Sequence, residues 1–127
     1  MEEQLISFET AKLAKEKGFY IDCEHGFRIN EDGDVEFYEC WHLHLSDHYE
    51  KHIKETDFLY GCPTQSLLQK WLREVHNIHV VIVGSPLYSP CVMLGGTNYW
   101  RQDDELSYEE ALEKGLQEAL KLITTKN

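Results

Sequence analysis

The pattern of apolar and polar positions predicts alternating helices and strands. Ser7 is a good helix N-cap, and apolar residues at helical spacing follow it up to a stop at Gly18. Further along, the Asp-Gly pair within residues 30–34 separates two apolar runs, which predicts a β-hairpin with strands over residues 27–29 and 35–45. The first half of the chain therefore predicts a helix followed by a hairpin.

The predicted strand over residues 35–45 alternates along its length. Because successive side chains of a strand point to opposite faces, its residues divide into two sets, with Glu39 as an odd member of the apolar one. The apolar set comprises Val35, Phe37, Trp41, Leu43 and Leu45. The other set comprises Glu36, Tyr38, Cys40, His42 and His44.

The second half of the chain reads as helix, strands and helix. Pro63 suits the first turn of a helix that closes at residues 76–77. An apolar stripe at helical spacing supports this helix and comprises Leu67, Leu68, Trp71, Leu72 and Val75. A strand of β-branched residues follows over residues 78–83. A second strand is predicted over residues 91–94, begins after Ser89-Pro90 and can resume at residues 98–100. A capping box then begins the last helix.

That last helix starts at Ser107, with Glu110 at its third position. Its apolar stripe contains Gly115, which costs a helix about 1 kcal/mol relative to alanine. We therefore expect Gly115 to allow close approach to the sheet.

Residues 46–60 leave the choice between helix, strand and loop open. Asp47 and Glu50 resemble a capping box, while residues 58–60 are apolar. Over the whole chain the sequence predicts a single α+β domain, spanning residues 1–127. An antiparallel sheet of four or five strands is covered by three main helices, and residues 1–62 form the helix-plus-hairpin portion and residues 63–127 the helix–strand–strand–helix portion.

Charge narrows the range of functions. The 127 residues carry a net charge of −11, and residues 1–62 hold 6 basic and 15 acidic side chains. Because phosphate backbones are gripped by Lys and Arg, this balance argues against direct nucleic-acid binding. The start of the chain is acidic where a signal peptide is basic, and no stretch approaches the ~20 apolar residues of a membrane span. We expect a cytoplasmic protein whose four cysteines are reduced.

The densest charge lies on the predicted hairpin. Its acidic residues are Glu31, Asp32, Asp34, Glu36 and Glu39. A calcium loop of the EF-hand type that began at Asn30 would need Gly at its sixth position and Glu at its twelfth. The chain has Val35 and Trp41 at these positions. We expect the chain to bind a protein partner without catalysis, through these acidic residues or through an aromatic surface such as Tyr88, Tyr99 and Trp100. A nucleic-acid-binding protein is one such partner.

A metal site is the alternative. On a strand, Cys40, His42 and His44 share one face at the spacing that zinc accepts, and His48 and His52, four apart, would add ligands. The chain would then be a small zinc protein or zinc enzyme, whereas the leading interpretation requires no cofactor. A weaker enzymatic alternative is a nucleophilic Cys62 before the helix at Pro63, where the helix dipole lowers a thiol pKa.

Two resemblances add expectations. Residues 63–78 (PTQSLLQKWLREVHNI), 107–116 (SYEEALEKGL) and 7–18 (SFETAKLAKEKG) resemble short proteins found in phages and prophages of gut bacteria. This resemblance implies an accessory protein of a mobile element and implies no particular activity. The order helix, strands, helix is also similar in topology to double-stranded-RNA-binding domains. In those domains lysines at the start of the last helix clamp phosphates, whereas residues 107–114 here (SYEEALEK) carry carboxylates, so the resemblance implies a shared fold without RNA binding. A nucleic-acid binder on this scaffold is the third alternative, which the charge balance disfavours.

Overall fold

A computed structural model describes residues 4–41, 48–84, 87–94, 97–102 and 106–123, with the side chains of residues 97–99 excepted. Over these residues the chain is α+β, with antiparallel strands. They form two compact units. The first unit is Leu5–Pro63, and the second contains Gln4 and the residues from Thr64 onward.

The first unit contains two helices and a three-stranded antiparallel sheet. Its elements are α1 (Phe8–Glu16), β1 (His25–Ile29), β2 (Val35–Tyr38), α2 (Tyr49–Glu55) and β3 (Leu59–Cys62). The strand order is β2-β1-β3, so β1 is central. As predicted, the Ser7 side chain caps α1 by accepting from the Thr10 N–H, and the helix stops at Gly18, whose φ of +94° suits glycine.

The two faces of this sheet are covered by different elements. On one face, Phe8 of α1 meets Phe27 and Tyr60 edge-on, with ring centroids 5.5 and 5.2 Å apart. On the other face, the buried indole of Trp41 fills the space left by the missing side chain of Gly26. Aromatic side chains therefore pack on both faces of this sheet.

The second unit is a helix, a three-stranded meander and a helix. Its elements are α3 (Gln65–His76), β4 (Ile78–Val83), β5 (Ser89–Leu94), β6 (Thr97–Arg101) and α4 (Tyr108–Lys121), with strand order β4-β5-β6. Thr64 caps the start of α3, Asn77 ends it with a φ of 55°, and Ser107 and Glu110 form the predicted capping box of α4. Helix α3 packs on β4 and α4, and α4 packs on β4 and β5, so both helices lie on one face of the sheet, as predicted.

Gly115 has the role that the sequence predicts. A Cβ added there would lie 2.6 Å from Cγ1 of Val80 and 3.4 Å from Cβ of Pro90. Because both neighbours belong to the sheet, the glycine lets α4 approach it closely. The α4 stripe is buried as predicted, whereas Val75, the last residue of the α3 stripe, is 60% exposed.

The predicted sheet of four or five strands does not form. The described residues instead contain two three-stranded sheets, because β3 returns to pair with β1 while β4 to β6 pair only with one another. The described residues also contain four helices instead of three main ones, the additional helix being α2 in the segment left open. Residues 97–101 form a strand of their own, paired with β5.

Candidate functional site: the hairpin edge of the first unit

The turn between β1 and β2 is held by one side chain. Oδ1 of Asn30 accepts the N–H groups of Asp32 and Asp34, each at 3.0 Å. The backbone closes the turn as well, since Asn30 N–H donates to the Asp34 oxygen at 2.9 Å and Gly33 takes a φ of +86°. An Asx turn of this kind shapes the loop without using the carboxylates.

All five predicted acidic residues are exposed: Glu31, Asp32, Asp34, Glu36 and Glu39. Residues 30–40 contain no Lys or Arg. Glu36 lies directly opposite Arg28 in the β1–β2 register, whereas the other four lie in the turn and beyond the end of β2. We call residues 31–39 the hairpin surface.

Strand β2 is the outer strand of its sheet, and part of its backbone points outward. Ile29 donates its N–H to the Phe58 oxygen at 2.9 Å, on the β3 side of β1. Since successive residues of an antiparallel ladder bond to alternate sides, Ile29 and Phe27 direct their backbone groups toward β3. Val35 and Phe37, which lie opposite them, therefore turn their own N–H and C=O groups away from β1. Among the described residues, no strand pairs with that side of β2.

The same two residues expose apolar side chains. Val35 is 44% and Phe37 47% exposed. Phe37 stacks on the His25 ring at 5.7 Å between centroids and contacts the Phe27 ring at 5.5 Å, so one side of the ring is packed and the rest is open. The hairpin surface thus combines apolar side chains, outward backbone groups and carboxylates.

The prediction that Trp41 shares a face with Val35 and Phe37 was wrong. Strand β2 ends at Tyr38, and the chain then turns, so that Trp41 donates its N–H to the Glu24 oxygen at 2.7 Å and packs on Gly26. Gly26 faces the side of the sheet opposite Phe37, because it is adjacent to Phe27 on β1. The alternation pattern missed the early end of the strand, and with it the exposure of Val35 and Phe37.

The residues predicted to bind metal are only partly within the described chain. Cys40 is exposed and lies in the turn after β2 instead of on the strand. His42 and His44 lie outside the described residues. His48 precedes α2 and His52 lies on it, both exposed, with ring centroids 6.5 Å apart. Among the residues that are described, no group of three His, Cys, Asp or Glu side chains is placed to hold a metal ion.

Cys62 does not have the surroundings of a reactive thiol. It is buried at the end of β3, and its Sγ donates to the Ile6 oxygen at 3.5 Å. Cys23, also buried, has its pKa raised to about 12 by desolvation. Since the thiolate is the nucleophile, burial makes Cys23 inert at neutral pH.

A cavity of about 270 Å³ lies beside α1 and β3, lined by Lys12, Lys15, Glu16, Tyr20, Asp57 and Tyr60. The Lys15 ammonium donates to the Thr56 and Leu59 oxygens, the latter at 2.8 Å, and lies 4.6 Å from the centre of the Tyr60 ring. Desolvation lowers the Lys15 pKa, although Asp57 opposes that shift. Because its ammonium group donates to backbone carbonyls, Lys15 links α1 to the start of β3.

The last helix of double-stranded-RNA-binding domains begins with lysines, whereas the first two turns of α4 carry carboxylates that make hydrogen bonds within the fold. The Glu110 side chain accepts the Ser107 N–H at 3.3 Å within the capping box. Glu113 accepts from Nε2 of the buried Gln65 at 3.0 Å.

Comparison with known proteins supplies no relative. No protein-family model, no curated protein and no solved structure matches the chain. Within the described part of the chain, no helix has the length and apolar character needed to cross a membrane.

Proposed function

We propose that this chain is a non-enzymatic binding protein that captures a basic protein segment on its hairpin surface. The observation that carries the proposal is the coincidence, on the hairpin surface, of the half-exposed Val35 and Phe37 of β2 with five carboxylates, one on β2 and four beside its ends. Single exposed apolar residues are common on protein surfaces. An aromatic anchor beside charge of one sign is typical of a recognition surface.

Charge complementarity selects the partner. The hairpin surface carries five carboxylates and contains no Lys or Arg itself, so even with Arg28 opposite Glu36 it attracts a cationic segment and repels an anionic one. Nucleic-acid-binding proteins are rich in Lys and Arg, so a basic segment of such a protein fits this surface. Together with the resemblance to phage and prophage proteins, this supports a cytoplasmic accessory protein of a mobile element that acts on a host protein.

The test is selection from a displayed library of random ten-residue peptides. We expect the wild-type chain to enrich peptides of net positive charge that contain apolar residues. A charge-reversed variant, Glu31→Lys with Asp32→Lys and Asp34→Lys, should lose those peptides. It should keep its fold, because Asn30 shapes the turn through backbone N–H groups.

A matched control variant reverses three exposed carboxylates elsewhere, Glu24→Lys, Glu55→Lys and Glu74→Lys. It changes the net charge equally, so it should retain the peptides if the hairpin surface is the site. If both variants lost the peptides equally, the net charge of the protein would explain the binding and the hairpin surface would not be the site. If the wild-type chain enriched no such peptides, the proposed function would be refuted.

A further inference from the structure

We infer that the captured segment binds in an extended conformation and adds to β2 as an antiparallel strand at its outer edge. The inference rests on the proposed function and specifies how the same surface recognises its partner. The backbone carries it, because the N–H and C=O groups of Val35 and Phe37 point away from β1. Strand addition of this kind takes affinity from main-chain hydrogen bonds and specificity from alternate side chains.

The side chains at this edge define what an added strand needs. Residues directly opposite each other in an antiparallel pair share a face. Partner residues opposite Val35 and Phe37 would lie on the exposed apolar side chains, and a partner residue opposite Glu36 would lie beside its carboxylate. The segment that fits therefore alternates apolar and basic residues.

An outer strand in the sheet of the second unit offers a contrast within the same chain. On β4 of the second unit, the Gln69 side chain of α3 donates to the Val80 oxygen at 2.8 Å. That edge is thus partly occupied by a side chain, which is a common way to block unwanted strand pairing. Within the described residues, β2 has no such cover over Val35 and Phe37.

A second copy of this chain does not fit the edge. Pairing β2 with another β2 would bring the Glu36 carboxylate of the second copy, and the four carboxylates beside the ends of its β2, to the same edge. Like charges placed opposite each other across strands are destabilising. The net charge of −11 adds repulsion between copies at longer range.

The test uses a synthetic eight-residue peptide of alternating lysine and valine with blocked ends, and measures its binding to the full chain by fluorescence anisotropy. In the antiparallel pairing, the valines lie opposite Val35 and Phe37 and direct their N–H groups toward β2. A peptide methylated at the backbone nitrogens of its valines should therefore bind about tenfold more weakly or worse, because it lacks the N–H donors of the inter-strand hydrogen bonds. Methylating the backbone nitrogens of the lysines, whose N–H groups point away from β2, should leave the affinity within about threefold.

Two controls separate this inference from the proposed function. A peptide of the same composition with its lysines and valines in two blocks should bind more weakly, and a glutamate–valine peptide should not bind. Hydrogen exchange should slow at the Val35 and Phe37 amides when the alternating peptide is added.

The result that would overturn the inference is equal affinity of the two methylated peptides. If their binding still required the carboxylates of Glu31, Asp32 and Asp34, the proposed function would stand and docking would be through side chains alone. Failure of the unmodified peptide to bind would also overturn the inference, and the library selection would then decide the proposed function separately.

Discussion

Replacement of Gly115 by alanine tests how closely α4 lies on the sheet. In an exposed helix interior, alanine is favoured over glycine by about 1 kcal/mol. Here the new Cβ would lie 2.6 Å from Cγ1 of Val80, well inside the ~3.5–4.0 Å of a favourable carbon contact. Val80 and Leu116 are buried, at 4% and 0% exposure, so the neighbours have little room to move.

The net cost follows from these two opposing effects. Overpacking a buried site typically costs about 1–3 kcal/mol. After subtraction of the helix-propensity gain of about 1 kcal/mol, we expect Gly115→Ala to lower the free energy of unfolding by roughly 1 kcal/mol. Urea unfolding followed by circular dichroism measures this loss of stability. Faster hydrogen exchange of the β4 amides would locate the effect in the second unit.

The double-mutant cycle with Val80→Ala is decisive. That change removes Cγ1 and leaves the Pro90 Cβ at 3.4 Å and the Val80 Cβ at 4.0 Å, both within ordinary contact range, so the clash disappears. Gly115→Ala should then stabilise by about 1 kcal/mol in the Val80→Ala background, a coupling of about 2 kcal/mol. As a control, Gly18→Ala should lose roughly 1 kcal/mol in either background, because Gly18 has positive φ and nothing within 4 Å of its Cβ. A stabilising Gly115→Ala in the wild-type chain would refute the packing argument.

Three further predictions concern single buried or exposed groups. Desolvation lowers the His76 pKa, so the unfolded chain binds more protons near pH 6 and stability should fall as the pH drops below about 6.5; His76→Gln should flatten that dependence in urea titrations from pH 5 to 8. One thiol per native chain should react quickly with a disulfide reagent and disappear in Cys40→Ser, since the other three cysteines are buried; fast reaction of Cys23 would contradict its raised pKa. Gln65→Ala should cost about 1–3 kcal/mol in urea unfolding, because Gln65 donates to the Glu109 oxygen and to Glu113; an unchanged midpoint would show that these bonds contribute nothing.

Local signals predicted the helices and turns well. The caps at Ser7 and Ser107, the Asp-Gly turn and the glycine in α4 each act through neighbours within a few residues or through one face of a helix. These features need no knowledge of the rest of the fold, so sequence pattern is sufficient to find them. The α+β class follows from the same signals.

Strand partners and strand ends were not predictable in this way. Whether β3 pairs with β1 or extends a larger sheet depends on contacts between residues more than 25 positions apart, such as Phe27 with Tyr60. Strand β2 ends at Tyr38 and Trp41 packs on Gly26, and the alternating pattern of residues 35–45 carries no sign of either feature. The acidic part of the candidate site could be read from composition, whereas the exposure of Phe37 required the strand order.

The shape of the β1–β2 turn and its charge are specified by different residues. Asn30 and Gly33 set the backbone, and the carboxylates of Glu31, Asp32 and Asp34 make no hydrogen bond within the described chain. Substitutions at these three positions are therefore nearly free of structural cost, and the charge of the turn can change while the fold of the hairpin is kept. Under the proposed function, related chains could differ in the partner they prefer through this turn without any change in the scaffold that supports it. The same separation makes the turn a practical place to graft a new recognition sequence.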